Sequence, residues 1–308
     1  MTIERVRASL RGISGIHITP YQDDGSLNEA LLLRVVRRIA DAGIHNIVSG
    51  GNTGEFFSLT FDEVVRLQAV AIAAMGEGPV RTAAVGRSLG EAIATGRLAT
   101  SAGAEALMIH HPLDPFAAPS AQSAYFLAIA DAVTVPVVAY LRSDTIPLQE
   151  LVRIASHPNV AGLKFATQNL MLLTECIRET ADCPAVWVCG LAEGWAPAFY
   201  AAGARGFTSG LINVDPERSL GIWHALEAGQ YEEARALIAP IAPFEALRTK
   251  HNNGANVTVV KEALILEGVD VGAVRLPGLP RLSEEDRLYL ARILSDLGRP
   301  VTLPAAAE

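Results

Sequence analysis

The sequence is poor in the features that mark several common classes of protein. No run of residues is long and apolar enough to cross a membrane as a helix, and the N-terminal residues lack the apolar core of a signal peptide. No basic tract is present, and the formal net charge of −8 argues against nucleic acid or an anionic membrane as a partner. We therefore expect a soluble, cytoplasmic protein. An anionic small substrate is compatible with this charge, because local donors rather than the overall field would hold it.

Cysteine is also scarce. Cys176, Cys183 and Cys189 give neither a disulfide framework nor the spacing of a metal-ligand pair, so we interpret them as small buried or incidental thiols.

No predicted strand is followed by GxGxxG or by a Walker A sequence, the usual phosphate-binding loops of an open doubly wound sheet. With 308 residues, half of them hydrophobic, the chain can form one large domain or two.

A recurring phrase is the clearest large-scale pattern in the chain. ADAGIHNIVSG (40–50), TSAGAEALMIH (100–110) and YAAGARGFTSG (200–210) each close a helix with Ala-Gly and continue directly into a strand. Amphipathic helical stretches separate the short apolar runs. The predicted strands are 15–19, 46–49, 81–85, 106–110, 135–140, 160–165, 185–189 and 206–209.

Eight such units in about 220 residues, with short loops and no linker, favour a single (β/α)8 TIM barrel over the doubly wound sheet. The last predicted barrel helix covers about 216–228. The pattern then becomes all helical. We predict a barrel over residues 1–228 and a C-terminal helical extension over 229–308 that packs on it, the two forming one structural domain.

In such a barrel the reacting groups lie at the C-terminal ends of the strands. Lys164 is unusual there, because the chain has three lysines and this one lies within an apolar strand, VAGLKFAT. Burial lowers the pKa of an amine and frees its lone pair to attack a carbonyl, although the lysine could also extend out of the barrel mouth. Tyr140, which ends the neighbouring strand, could move the proton or could simply cap the core.

A glycine-rich loop, SGGNTGEFFSLT (49–60), follows the second strand. Thr60 and Glu63 form a capping box, so we predict a helix from Phe61. The backbone N–H groups of the preceding turn could bind a carboxylate, and Thr53 could hydrogen-bond the Tyr140 hydroxyl and align it. We expect Glu55 to hold the backbone of its own loop.

GNTGE after strand 2, the tyrosine ending strand 5 and GLK on strand 6 resemble the dihydrodipicolinate synthase and N-acetylneuraminate lyase superfamily of class I aldolases and dehydratases. The resemblance covers nearly the whole chain. It implies that Lys164 forms a Schiff base with a 2-oxo acid, that Tyr140 shuttles the proton, and that Asn52 and Thr53 bind the substrate carboxylate. The other candidate substrate-binding residues are Gly51, Gly190, Ser209 and Arg142. Similar proteins are commonly homodimers or homotetramers.

Two positions differ from the synthase of lysine biosynthesis. The segment after strand 4 is HHPLDPF instead of Tyr-Tyr-Asn, and Thr145 stands where the synthase has an arginine. By contrast TGEFFSLT, the arginine of YLR and VVKEALILEGVDVGAVRLP are similar to the sugar-acid branch, particularly 5-dehydro-4-deoxyglucarate dehydratase. That enzyme usually has Asn-Arg-Asp after the tyrosine, where this chain has Leu-Arg-Ser.

The leading hypothesis is therefore a Schiff-base lyase, a dehydratase or an aldolase, acting on a 2-oxo-3-deoxy sugar acid. The alternative within the family is 4-hydroxy-tetrahydrodipicolinate synthase. An iminium is itself an electron sink, so we expect no metal and no organic cofactor. Alternatives of other classes are a barrel that binds a sugar acid without turnover, and a metal-dependent hydrolase using His17, Glu55, His110 and His111. Adjacent His110 and His111 would point to opposite faces of a strand, which disfavours the hydrolase.

Overall fold

Eight parallel strands close into a barrel in the computed structural model, which describes residues 2–302. The strands are Ile13–Ile16 (β1), Asn46–Ser49 (β2), Val80–Val85 (β3), Ala106–Ile109 (β4), Val137–Leu141 (β5), Val160–Phe165 (β6), Val186–Cys189 (β7) and Phe207–Ser209 (β8). Each pairs with the next in the sequence, and β8 pairs with β1. The predicted (β/α)8 barrel is confirmed, and the doubly wound alternative is wrong.

Thirteen α-helices accompany the strands within residues 2–302. They are Ile3–Leu10 (α1), Glu29–Asp41 (α2), Phe61–Met75 (α3), Leu89–Ser101 (α4), Pro119–Ala132 (α5), Leu148–Ala155 (α6), Leu170–Glu179 (α7), Ala196–Ala201 (α8), Pro216–Glu227 (α9), Tyr231–Ile238 (α10), Ala242–Asn253 (α11), Asn256–Leu266 (α12) and Glu284–Asp296 (α13). In this part of the chain no helix is long and apolar enough to span a membrane. Residues 1 and 303–308, which the prediction assigns to the barrel and the extension, lie outside the described residues.

Local sequence signals explain the junctions between helices and strands. Gly43, Gly103 and Gly203 follow helices α2, α4 and α8 with φ of 87°, 101° and 104°, the left-handed conformation predicted for the Ala-Gly phrase. Thr60 and Glu63 form both hydrogen bonds of the predicted capping box at the start of α3. Each junction sends the chain directly from a helix into the next strand, or from a strand loop into the next helix.

The first strand differs from its prediction. It covers Ile13–Ile16 instead of 15–19. Beyond Ile16 the chain leaves the β-ladder and forms hydrogen bonds with loops. The Ile18 amide donates to Asn213 Oδ1 at 3.1 Å, and the Thr19 side-chain hydroxyl donates to the Gly54 carbonyl at 2.7 Å. These contacts come from residues distant in the sequence, so an apolar pattern alone could not place the strand end.

The core has two parts, one inside the barrel and one between the barrel and its helices. Val6 and Leu10 of α1 belong to the inner part, together with strand residues that include Met108, Val138 and Tyr140. Helix α1 thus packs against the barrel interior through its apolar side. The sequence prediction did not assign this helix. Cys176 and Cys189 are buried free thiols, and Cys183 is half-buried.

The C-terminal helices reach the open end of the barrel. Helix α11 has a kink near its end, where Lys250 is extended and His251, Asn252 and Asn253 have φ of 56°, 55° and 67°. Asparagine tolerates this left-handed conformation better than most residues. The irregular turn joins α11 to α12, and side chains from both helices line the pocket described next.

Candidate active site

A pocket of about 330 Å³ opens at the C-terminal ends of the strands, where a barrel of this kind carries its site. Seven of the eight predicted site residues line it: Asn52, Thr53, Tyr140, Arg142, Lys164, Gly190 and Ser209. Gly51 does not line it. A Cβ on Gly51 would lie 2.7 Å from Cγ2 of Ile16, so the position requires glycine for packing against β1.

Lys164 lies on β6 and its side chain is almost completely buried, with a residue exposure of 5%. Burial disfavours the ammonium form, and the positive charge of Arg142 disfavours it further. Together they lower the pKa of Lys164 from its ordinary value of 10.5 to about 7. A substantial fraction of this amine is therefore neutral, and hence nucleophilic, near neutral pH.

Tyr140 lies directly beside Lys164, because the two are register partners on the adjacent strands β5 and β6. The Lys164 Nζ atom is 3.9 Å from the centre of the Tyr140 ring. Burial raises the pKa of the Tyr140 hydroxyl above its ordinary range, although the charge of Arg142 opposes this. The phenol is therefore protonated at neutral pH and can act as a proton donor.

The partner of the Tyr140 hydroxyl differs from the prediction. Asn52 Nδ2 donates a hydrogen bond to Tyr140 Oη at 3.2 Å, whereas no such bond joins Thr53 to Tyr140. Asn52 is the first residue of a short 3-10 turn, Asn52–Gly54, and its side-chain amide reaches the end of β5. The geometry therefore assigns the alignment of Tyr140 to Asn52.

Only some of the backbone N–H groups in the turn after β2 form hydrogen bonds. The Gly54 N–H donates to the Gly51 carbonyl at 2.9 Å, and the Glu55 N–H donates to the Asn52 carbonyl at 3.0 Å. Within residues 2–302, no acceptor takes a hydrogen bond from the amides of Asn52 and Thr53. Two adjacent free N–H groups at the pocket wall suit a carboxylate.

Glu55 does not hold its own loop, and that prediction is wrong. Its Oε1 atom forms an ion pair of 2.9 Å with Lys261 of α12, and its Oε2 atom accepts from the Arg275 amide at 2.8 Å. The Lys261 ammonium also donates to the carbonyls of Thr19 and Ala273. Both charged side chains are buried, so Glu55 joins the loop to the C-terminal helices.

Arg142 and Ser209 occupy different parts of the pocket. Arg142 follows β5, is exposed, and lines the mouth; within residues 2–302 it pairs neither with Asp144 nor with another acid. The Ser209 hydroxyl donates to Oε1 of the buried Glu193 at 2.5 Å and accepts from the Ile212 amide at 3.2 Å. Ser209 therefore contributes mainly to the wall, because its hydroxyl is already engaged by the protein.

Several pocket residues were missed by the sequence prediction. Glu245, Arg248, Thr249, Asn253 and Asn256 come from α11 and its junction with α12. Their side chains meet the strand ends only through the tertiary fold. Nothing in the local pattern of an amphipathic helix distinguishes a residue over a pocket from one at the surface.

The residues of the metal-hydrolase alternative do not come together. His17 Nδ1 lies 2.9 Å from the Ile18 carbonyl, Glu55 pairs with Lys261, and His110 Nε2 lies 3.0 Å from the Gly50 carbonyl. His111 packs instead on Phe126. No group of three His, Cys, Asp or Glu side chains with metal-binding geometry occurs within the described residues.

The fold and the pocket define a (β/α)8-barrel enzyme with its site at the C-terminal ends of the strands. The chain belongs to the dihydrodipicolinate synthetase family, whose family model matches residues 9–297. The predicted superfamily is thereby confirmed, and with it the lyase class.

Individual relatives are similar along their whole length. A 4-hydroxy-tetrahydrodipicolinate synthase from Methanosphaerula palustris is 32% identical, covering 92% of this chain and 98% of the relative. A probable 5-dehydro-4-deoxyglucarate dehydratase from Chelativorans sp. is 30% identical, covering 94% and 96%. The crystal structure of dihydrodipicolinate synthase from Oceanobacillus iheyensis superposes with a TM-score of 0.92 at 33% identity, covering 96% of this chain and 99% of that one.

Proposed function

We propose that this lyase binds a 2-oxo acid covalently, as a Schiff base on Lys164. The observation that carries the proposal is the buried Lys164 amine, 3.9 Å from the Tyr140 ring, in a pocket whose wall offers two free backbone amides. The amides of Asn52 and Thr53 would hold the C1 carboxylate. The neighbouring ketone would then face the amine.

The residues suffice for the proton transfers of the reaction. The neutral Lys164 amine attacks C2, and the resulting carbinolamine loses its hydroxyl as water after Tyr140 donates a proton. The phenolate of Tyr140 then takes a proton from C3, which converts the iminium into an enamine. In a dehydration this enamine expels the C4 hydroxyl, which leaves as water with the proton returned by Tyr140. In an aldol cleavage the phenolate instead takes the proton of the C4 hydroxyl while the iminium is intact. The C3–C4 bond then breaks, its electron pair forms the enamine, and the C4 fragment leaves as an aldehyde.

Covalent trapping tests this proposal directly. Pyruvate followed by borohydride should add one reduced pyruvyl group per chain, and peptide mass spectrometry should locate it on Lys164. The variant Lys250→Ala is the matched control, because Lys250 is exposed and pairs with Asp286 outside the pocket, so it should be labelled like the wild type. An adduct found mainly on Lys250 or Lys261, or no adduct, would exclude the Schiff base.

The rate of trapping should depend on pH in a defined direction. Only the neutral amine attacks the ketone, and the pKa of Lys164 is lowered to about 7. The rate at subsaturating pyruvate should therefore rise from pH 5 to pH 7 and level off above about 7. Because Arg142 contributes to the lowered pKa, Arg142→Ala should move the inflection to higher pH. A rate that keeps rising to pH 10 would show an ordinary, solvated lysine.

Two substrates remain candidates for the reaction. The relatives reported above favour 4-hydroxy-tetrahydrodipicolinate synthase, since the relative with 32% identity and the superposed structure carry the synthase names. The sequence and the pocket together favour a sugar acid: Thr145 stands where the synthase has an arginine, and Arg142 lines the pocket mouth. We propose the sugar acid, as a dehydratase or aldolase substrate. Formation of 4-hydroxy-tetrahydrodipicolinate by the purified protein would select the synthase instead.

Substitution of Arg142 tests whether the substrate has a second carboxylate at the end away from Lys164. The Arg142 guanidinium lies at the mouth and pairs with no acid in the part of the chain that the structure describes, so it suits a distal carboxylate, as in 5-dehydro-4-deoxyglucarate. Arg142→Ala should raise KM for this diacid about tenfold or more, and raise KM for the monoacid 2-dehydro-3-deoxygluconate much less. Steady-state kinetics at a pH above the inflection separates this effect from the change in the pKa of Lys164. Equal effects on both acids would remove the preference for a diacid.

The remaining expectations stay predictions. They are a homodimer or homotetramer, a cytoplasmic location, and a reaction without metal or organic cofactor. Leu113 and Phe116, in the loop after β4, are exposed apolar side chains that a second copy of the chain could cover.

A further inference from the structure

Arg248 is a buried cation that the proposed reaction does not use. It lies on α11 and is 6% exposed, yet it lines the pocket. Its Nη1 atom donates to Glu245 Oε1 at 2.6 Å, and its Nε and Nη2 atoms donate to Asn256 Oδ1 at 3.1 Å and 2.7 Å. These bonds hold the guanidinium in a single orientation. Within residues 2–302, two of its five N–H groups, one on each terminal nitrogen, have no acceptor.

The end of β8 is shaped to admit this guanidinium. A Cβ on Gly210 would lie 2.6 Å from Arg248 Nη2 and 3.5 Å from the Thr53 hydroxyl oxygen. The backbone of Gly210 has φ −99° and ψ −19°, which any residue can adopt, so glycine is not required there for its conformation. The missing side chain instead leaves space for Arg248 next to the loop after β2.

The chemistry of this cluster favours hydroxyl groups over a second carboxylate. Arg248 offers N–H donors, Asn256 offers its amide N–H₂, and the second carboxylate oxygen of Glu245 offers an acceptor. A hydroxyl group both donates and accepts, so it can bond with all three kinds of group. A carboxylate only accepts, and the negative charge of Glu245 would repel it.

We propose that Arg248, with Glu245 and Asn256, is a specificity determinant that binds the hydroxyl-bearing carbons of a polyhydroxy 2-oxo acid. This inference rests on the proposed function, since it assumes that the 2-oxo group is held at Lys164. Residues of the C-terminal helices would then recognise the hydroxylated carbons of the substrate, and the residues on the strands, Lys164 and Tyr140, would carry out the covalent chemistry. Pyruvate has no carbon beyond C3, so it lacks the part of the substrate that this cluster binds.

Half-saturation of borohydride trapping at Lys164 tests the inference, with pyruvate and 2-dehydro-3-deoxygluconate as probes, because trapping requires no turnover. Arg248→Met should raise the half-saturating concentration of the sugar acid about tenfold or more and change that of pyruvate less than about twofold. Gly210→Ala should act in the same direction, because its methyl group displaces the guanidinium while keeping the charge. This second variant also covers the case in which Arg248→Met does not fold. Arg153→Met, on the exposed face of α6, is the matched control and should resemble the wild type.

Three results would overturn the inference. An equal rise for both probes would place Arg248 at the C1 carboxylate or give it a structural role. Unchanged values for both would show no contact with the substrate, and a wild type that binds the sugar acid no better than pyruvate would exclude recognition of the hydroxylated chain. Failure of the proposed function itself is separate, because the wild type would then fail to trap pyruvate on Lys164.

Discussion

Replacement of Lys164 by alanine is expected to reduce turnover of the 2-oxo acid substrate by a factor on the order of 10⁴ to 10⁶, the scale of loss when a covalent nucleophile is removed. Neither of the other two lysines can replace it, because Lys261 is held by Glu55 and two carbonyls, and Lys250 pairs with Asp286 outside the pocket. The measurement is kcat with saturating substrate, together with the loss of the pyruvyl adduct.

A second variant at this position separates chemistry from folding. Lys164→Met keeps an unbranched apolar stem in the buried β6 position, so it should fold at least as stably as the wild type while remaining inactive. Circular dichroism and urea titration provide the check. Residual activity within tenfold of the wild type in either variant would mean that Lys164 does not form the covalent intermediate.

Lys261→Met should destabilise the protein strongly. The substitution leaves the Glu55 carboxylate buried without its partner and removes the donor to the carbonyls of Thr19 and Ala273. Breaking a buried ion pair by removing one partner costs about 3–5 kcal/mol. The free energy of unfolding, measured by urea titration at pH 7, should fall by this amount.

The double variant Glu55→Gln/Lys261→Met is the control for the uncompensated charge. It should recover part of the loss, because an uncharged amide costs less to bury than a carboxylate. A loss below about 1 kcal/mol in Lys261→Met would show that water reaches the pair, so that it behaves as a surface ion pair.

The barrel and the strand half of the site could be predicted from the sequence because their signals are local. The Ala-Gly junctions, the capping box at Thr60 and the apolar runs act over a few residues, and the C-terminal strand ends of a barrel meet by topology. The amino-acid pattern alone therefore predicted that Lys164 and Tyr140 lie together at the barrel mouth.

The remaining part of the site depends on contacts between distant segments. Lys261 looks like an ordinary charge on an amphipathic helix in VVKEAL, and only its bond to Glu55, 206 residues earlier, requires its burial. Arg248 lines the pocket because α11 packs at the barrel mouth and Gly210 leaves space for the guanidinium. Neither arrangement has a local periodicity, so propensity and pattern could not reveal it.

Helix α1 packs at the end of the barrel opposite the mouth, yet it lies close to the catalytic candidate Lys164. Leu10 lies with Ser14, Val138 and Lys164 around one small cavity in the barrel interior, on the side of Lys164 away from the mouth. Leu10 of α1 therefore closes the end of the barrel opposite the mouth, and we expect it to keep water away from Lys164 on that side. Removing α1 should let water reach Lys164 from that end and raise the pKa of its amine. More of the amine would then be ammonium, and the nucleophile would be weaker although no residue that the substrate touches had changed.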